Sequence, residues 1–91
     1  QCEGSVAWSL SSALGPGVSF KDGVARQSNF HDYPIMKMAD APEVSTTIIE
    51  GEGEPSGVGE PVVPIIAPAL ANAIFATGGG RRRHMPLNAE A

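Results

Sequence analysis

The sequence predicts an α+β fold: a short helix, a β-hairpin, two further strands and a C-terminal helix. Three observations predict it. Apolar residues recur at helical spacing near both ends of the chain. An Asp-Gly pair separates two short alternating runs. A β-branched run, Val44-Ser45-Thr46-Thr47-Ile48-Ile49, lies mid-chain. Helix, hairpin, strand, strand, helix is an α+β order in which the strands are expected to join a sheet.

Residues 3–14 read as the first helix. Val6, Leu10 and Leu14, with Ala7, are expected to line one face, and Gly15-Pro16-Gly17 ends it. Trp8 reads as core or interface packing. Val18-Ser19-Phe20 and Val24-Ala25-Arg26-Gln27 flank Lys21-Asp22-Gly23, the best hairpin signal in the chain. After Pro34, the run Ile35 to Met38 alternates and reads as a strand. Val44–Ile49 reads as the strongest strand, because β-branched side chains fit a pleated surface.

His31 beside Asp32 has the residue types of an acid–base pair or a metal site. With no second histidine nearby, a surface or supporting role is the better reading. Glu50, Glu52 and Glu54 alternate in an acidic, glycine-rich loop. Carboxylates suit a hard cation such as calcium, but this spacing matches no calcium loop, and a solvated loop is the better reading. No residue is assigned as a metal ligand.

The second helix is expected from Pro64 to Thr77, with Ile65, Ile66, Ala69, Leu70, Ala73 and Ile74 as its apolar stripe. Pro64 suits the first turn and Gly78 the position just past the end. Pro68 fits only if its missing N–H falls in the first turn. Just before this helix stands Gly57-Val58-Gly59-Glu60-Pro61, around which the chain is organised. The glycines permit unusual backbone angles and close approach. Pro61 fixes its own φ and pushes Glu60 towards an extended conformation. Glu60 is thereby carried on a stiff loop near the positive end of a helix dipole, where an anion is favoured. A glutamate in such a turn is more often a plain surface residue, so both readings stand at this point.

Ninety-one residues allow one small domain. A hydrophobic fraction of 42% is ordinary and excludes wholesale disorder. One Trp, one Tyr and three Phe are thin for an independent core, so the chain is expected to complete its core against something else. The net charge of −4 argues against a nucleic-acid partner. Arg81-Arg82-Arg83-His84 reads as a solvated run beside a helix C-terminus, with a phosphate contact as the alternative. Cys2 stands alone, which excludes an intrachain disulfide and a cysteine cluster. No run reaches the roughly 18 apolar residues of a membrane helix. Opening on Gln1-Cys2-Glu3, without an initiator Met or signal peptide, the chain reads as cut or processed.

Several stretches together resemble a known family. They are Gly57-Val58-Gly59-Glu60-Pro61, Ile66 to Phe75, Thr77-Gly78, the arginine run and Met85-Pro86-Leu87. In that order they resemble the C-terminus of the large, molybdenum-binding subunit of the xanthine oxidase family of molybdenum hydroxylases. The nearest branch is the bacterial isoquinoline 1-oxidoreductase and aldehyde dehydrogenase type. Glu3-Gly4, Lys21-Asp22-Gly23 and Asn29-Phe30-His31-Asp32-Tyr33-Pro34 resemble the same subunit. The resemblance implies that residues 1–87 are the C-terminal portion of a molybdopterin-binding domain and that 88–91 are a frayed tail.

It also implies hydroxylation of an aldehyde or N-heterocycle carbon, with water as the oxygen source. Glu60 would be the general base on the molybdenum-bound hydroxide, and Gln1 and Gly59 would be cofactor-binding positions. The implied cofactors are molybdenum–molybdopterin, in its cytosine dinucleotide form, and iron–sulfur clusters on a small partner subunit. The implied partners are the remainder of the large subunit, that iron–sulfur subunit and a small-molecule substrate. The expected location is cytoplasmic, with periplasmic as the alternative, and the chain alone is expected to be inactive. Two departures stand out. Val62-Val63 replaces the Gly and small residue of many relatives and is expected to narrow the substrate side. Gly78-Gly79-Gly80 is more glycine-rich than the usual helix ending. The competing class is a small non-catalytic interaction domain in which Gly-Glu-Pro is only a turn.

Overall fold

A computed structural model describes residues 1–88. Helix α1 (Cys2–Leu14), strands β1 (Phe20–Lys21) and β2 (Val24–Ala25), a one-turn 3₁₀ segment (Met38–Asp40) and helix α2 (Val63–Ala76) follow in order. The strands pair antiparallel, with Phe20 opposite Ala25 and Lys21 opposite Val24. Helix and sheet are therefore both present, as expected for an α+β chain. The larger domain is not seen.

The hairpin forms where the Asp-Gly pair predicts it. Asp22 (φ 51°) and Gly23 (φ 78°) both take the left-handed region, which a tight turn of the mirror-image type needs. Its base is closed by Arg26 N–H donating to the Ser19 carbonyl at 2.9 Å. Gln27 closes it further, its Oε1 accepting from Ser19 N–H at 2.8 Å.

Helix α1 buries Ser5, Ser9 and Ala13. This corrects the expected face: Val6 and Leu10 are half-buried and Leu14 is exposed. Ser5, Ser9 and Ala13, at i, i+4 and i+8, carry small side chains, so backbone from elsewhere in the chain can come close there. The serines bring their own partners; the Ser9 hydroxyl donates to the Ser5 carbonyl at 2.6 Å. The last carbonyls of α1, which no helix satisfies internally, are met from the far end of the chain. Leu87 N–H donates to the Ala13 carbonyl at 2.8 Å, and the Asn88 side-chain amide donates to the Leu14 carbonyl. Asn88, expected in the tail, is thus tied to α1; residues 89–91 lie outside the described residues.

Helix α2 packs against α1. Its half-buried side is Val63, Ile66, Ala67, Leu70, Ala71 and Ile74, while Ile65, Ala69 and Ala73 are exposed. Half of the expected stripe therefore points outward. The helix carries no charged residue and one polar one, Asn72, so apolarity could not tell its faces apart. Pro68 is the sixth residue of α2, one turn later than expected. Its missing N–H leaves the Pro64 carbonyl without a helical donor. The end of α2 uses its glycines. Gly78 (φ 91°) donates to the Phe75 carbonyl and Gly79 to the Ile74 carbonyl, both at 3.1 Å. This is the double closure of a Schellman motif.

The strands expected over 35–38 and 44–49 are not formed. Met36 N–H instead donates to Ser11 Oγ at 2.9 Å, hanging this segment on α1. Among the described residues, no hydrogen bond joins the backbone of Val44–Ile49 to any part of the chain. A strand needs a neighbour for its N–H and C=O groups, and none is supplied here. Ala13 and Leu87 are the buried hydrophobic residues among those described.

Candidate functional site

The start of α1 and the loop before α2 meet at one hydroxyl. Ser5 Oγ lies 2.6 Å from the Gly59 carbonyl oxygen and 2.9 Å from that of Gln1. A serine has one proton to donate, and the shorter contact assigns it to Gly59. Beyond Gly59 the chain turns at once into α2, with Val63 N–H donating to the Glu60 carbonyl at 2.9 Å. Glu60 is thus flanked by an anchor on each side while its own side chain stays exposed.

These contacts shape an open pocket of about 500 Å³ lined by Gln1, Gly4, Ser5, Trp8, Gly59 and Glu60. The structure brings together all three positions singled out from the sequence, Gln1, Gly59 and Glu60. It adds Ser5, which fastens the loop, and Trp8, an indole wall that is 56% exposed. Neither residue belongs to the motif. The signal for Ser5 was the small-residue period Ser5, Ser9, Ala13, which a search for apolar stripes passes over; Trp8 was read only as packing. Val62 and Val63 do not line this pocket. Gly57 and Gly59 are not among the positive-φ glycines, so unusual backbone angles are not what they supply. A Cβ at Gly59 would sit 3.6 Å from Gln1 Oε1, an ordinary contact, so neither strain nor crowding requires glycine there.

Chemically the pocket offers a carboxylate that can take a proton and a carboxamide that can both donate and accept. Among the described residues, no three His, Cys, Asp or Glu side chains converge as a metal site. Glu50, Glu52 and Glu54 are accordingly not gathered around a common point. His31 Nε2 lies 3.6 Å from Asp32 Oδ2 on the surface. Asp32 itself closes a loop, accepting from the backbone N–H groups of Asn29 at 2.9 Å and Ser28 at 3.0 Å. Those bonds hold its carboxyl below the usual carboxylate range. In the basic run, Arg81 is not simply solvated. Its guanidinium lies 3.6 Å over the Phe75 ring and donates to Asn72 Oδ1 at 3.0 Å.

The chain is similar along nearly its whole length to much longer proteins. One is a membrane-bound aldehyde dehydrogenase [pyrroloquinoline-quinone] of Gluconacetobacter polyoxogenes, 36% identical over 96% of this chain and 11% of that protein. Another is the beta subunit of the isoquinoline 1-oxidoreductase of Brevundimonas diminuta, with the same identity and coverage. A third is a nicotinate dehydrogenase subunit of Pseudomonas putida, 34% identical over 99% of this chain and 8% of that protein. The chain thus spans about a tenth of the length of the curated relatives it matches. No family model and no solved structure matches it. Among the described residues, no helix is long and apolar enough to cross a membrane.

Proposed function

We propose that the chain is the segment of a larger oxidoreductase polypeptide that carries its catalytic base, Glu60. The enzyme would hydroxylate an aldehyde or N-heterocycle carbon with oxygen from water. The observation that carries this reading is the meeting of Glu60 with Gln1 and Gly59 in one pocket. The relatives' names support the substrate class: one names aldehyde, and isoquinoline and nicotinate are both N-heteroaromatic.

The pocket residues fit one wall of a molybdenum–pterin site. The Gln1 carboxamide would hydrogen-bond such a group, and the bare backbone at Gly59 would let it approach. When bound, the group supplies the two-electron oxidation of the substrate carbon. Glu60 takes up a proton at one of its Oε atoms as the water oxygen is delivered. The bonds at Gly59 and Glu60 on either side of its Cα hold the carboxylate in place for that transfer. The pocket is open in this chain, so the cover that excludes water comes from the rest of the polypeptide. Two relatives are named as subunits, which supports a multi-subunit assembly; in this proposal the electrons leave through an iron–sulfur subunit. One relative's name carries pyrroloquinoline quinone instead, and this favours a second reading of the cofactor alone.

The test is steady-state hydroxylation by the complete enzyme, with molybdenum and quinone measured on every variant. Glu60→Gln keeps the shape and removes the base, so turnover is expected to fall by roughly 10²–10⁴-fold at unchanged cofactor content. Glu52→Gln and Glu54→Gln are expected to match the parent. Retained turnover in Glu60→Gln would leave Gly-Glu-Pro as a turn. Quinone without molybdenum would replace the cofactor and leave the base standing.

A further inference from the structure

Val44–Ile49 combines three properties that do not belong together in a finished fold. It is β-branched or hydroxylated at every position. Its backbone has no hydrogen-bond partner among the described residues. Its last two side chains, Ile48 and Ile49, are 85% and 91% exposed. Successive residues of an extended segment point to opposite faces, so these two isoleucines call for apolar cover on both sides at once. Cover on both faces is the setting of a layered sheet, and a backbone open along both hydrogen-bonding edges has room for a neighbour on each side. Together these describe an interior strand, as opposed to the solvent-facing ribbon that β1 and β2 form.

We propose that Val44–Ile49 is an interior strand of a sheet whose other strands come from the remainder of the longer polypeptide. The occupant follows from what lies outside this chain. About nine-tenths of each relative's length has no counterpart here, while the similarity takes in 96–99% of this chain. A second copy of the chain fits less well. Pairing two copies would satisfy one edge and leave the other edge and both isoleucine faces bare. The inference rests on the reading that the chain is part of a longer polypeptide, and not on the role of Glu60. It has a consequence for that role: a strand clamped up to Ile49 fixes where the loop to Glu60 begins.

Hydrogen–deuterium exchange on the complete polypeptide, compared with the 91-residue chain, tests this directly. Amides of consecutive residues across 44–49 are expected to slow by on the order of 10³-fold in the complete polypeptide, because ladder amides exchange only through opening. Thr47→Pro removes one ladder donor and is expected to abolish that protection, whereas Ser56→Pro in the following loop leaves it intact. Equal exchange in the two proteins overturns the proposal, and so does parent-like protection in Thr47→Pro. Protection at alternate residues only would make this an edge strand and overturn the interior assignment. Protection that rises with the concentration of the 91-residue chain, and gains nothing in the complete polypeptide, would assign the strand to self-pairing and overturn it too. If Thr47→Pro fails to accumulate, the comparison of the two parent proteins still decides the outcome.

Discussion

Ser5 joins the start of the chain to the Glu60 loop through one hydroxyl, and its removal has a predictable reach. Ser5→Ala deletes the 2.6 Å bond to Gly59 and is expected to cost about 1 kcal/mol, the net worth of one such bond. Amide exchange at Val63, whose N–H is bonded to the Glu60 carbonyl, should quicken with it. Ser9→Ala, whose hydroxyl bonds only within α1, should leave that amide unchanged, and exchange measured on both variants checks the difference. Asp32 makes a prediction in pH. Its carboxyl is held below the usual range by the Asn29 and Ser28 amides, so the folded loop favours the ionised form. The contribution is complete above the unfolded-state value and is lost as pH falls through the lowered folded value. Amide shifts of Ser28 and Asn29, followed by NMR from neutral to strongly acidic pH, should report loss of this turn only at the acid end. In Asp32→Asn the acid-end transition should vanish. The sequence points to Glu60 through its loop motif and to Gln1 through the resemblance, and the structure sets both on one pocket. Ser5 was not legible, because its message is small size, and small residues make no apolar stripe.

At the scale of elements, local chemistry sets the turns and ends. Gly23→Val places a β-branched residue at φ 78° and is expected to cost about 1–3 kcal/mol. Cross-strand NOEs between Phe20 and Ala25 should weaken or vanish. Gly23→Asn should keep them, since asparagine tolerates this region. The α2 terminus separates two glycine roles. A Cβ at Gly79 would lie 2.8 Å from the Ile74 carbonyl oxygen and 2.9 Å from Ile74 Cγ2, so Gly79→Ala must displace backbone. Gly80→Ala meets nothing within 4 Å. Thermal melts should rank Gly79→Ala clearly below Gly80→Ala. The glycine-rich ending of α2 is thus used structurally at Gly78 and Gly79. The hairpin turn and the end of α2 were legible because the groups that decide them are close in sequence, whereas the last carbonyls of α1 are met by Leu87 and Asn88 from the far end of the chain. The inward side of α2 was only half legible, because that helix is apolar all round. The strands expected at 35–38 and 44–49 do not form in this chain for a different reason: propensity says a segment is willing to be a strand, but a strand exists only with a neighbour.

The whole molecule is unfinished by its own dimensions. A folded monomer of 9.4 kDa is expected to expose about 5,000 Å², whereas this chain exposes 7439 Å². Its radius of gyration is 15.8 Å, against about 12 Å for a compact domain of this length. The excess surface, of order 2,000 Å², is the size of a large stable interface. It is also apolar where it matters. Phe20, Val24, Phe30, Met38, Ile48, Ile49 and Ile65 are all more than half exposed, and an uncharged helix such as α2 is normally buried on every side. Isolated, the chain cannot offset the entropy of ordering its long exposed segments with so small a core. The 91-residue chain is therefore expected to melt broadly at low temperature and to self-associate through the exposed apolar residues. Light scattering across a concentration series should show mass rising above that of a monomer. Calorimetry should show a transition without the sharp cooperativity of a small two-state domain. A clean monomer with a single sharp transition, independent of concentration, would mean that the chain is complete in itself and that its exposed faces need no cover.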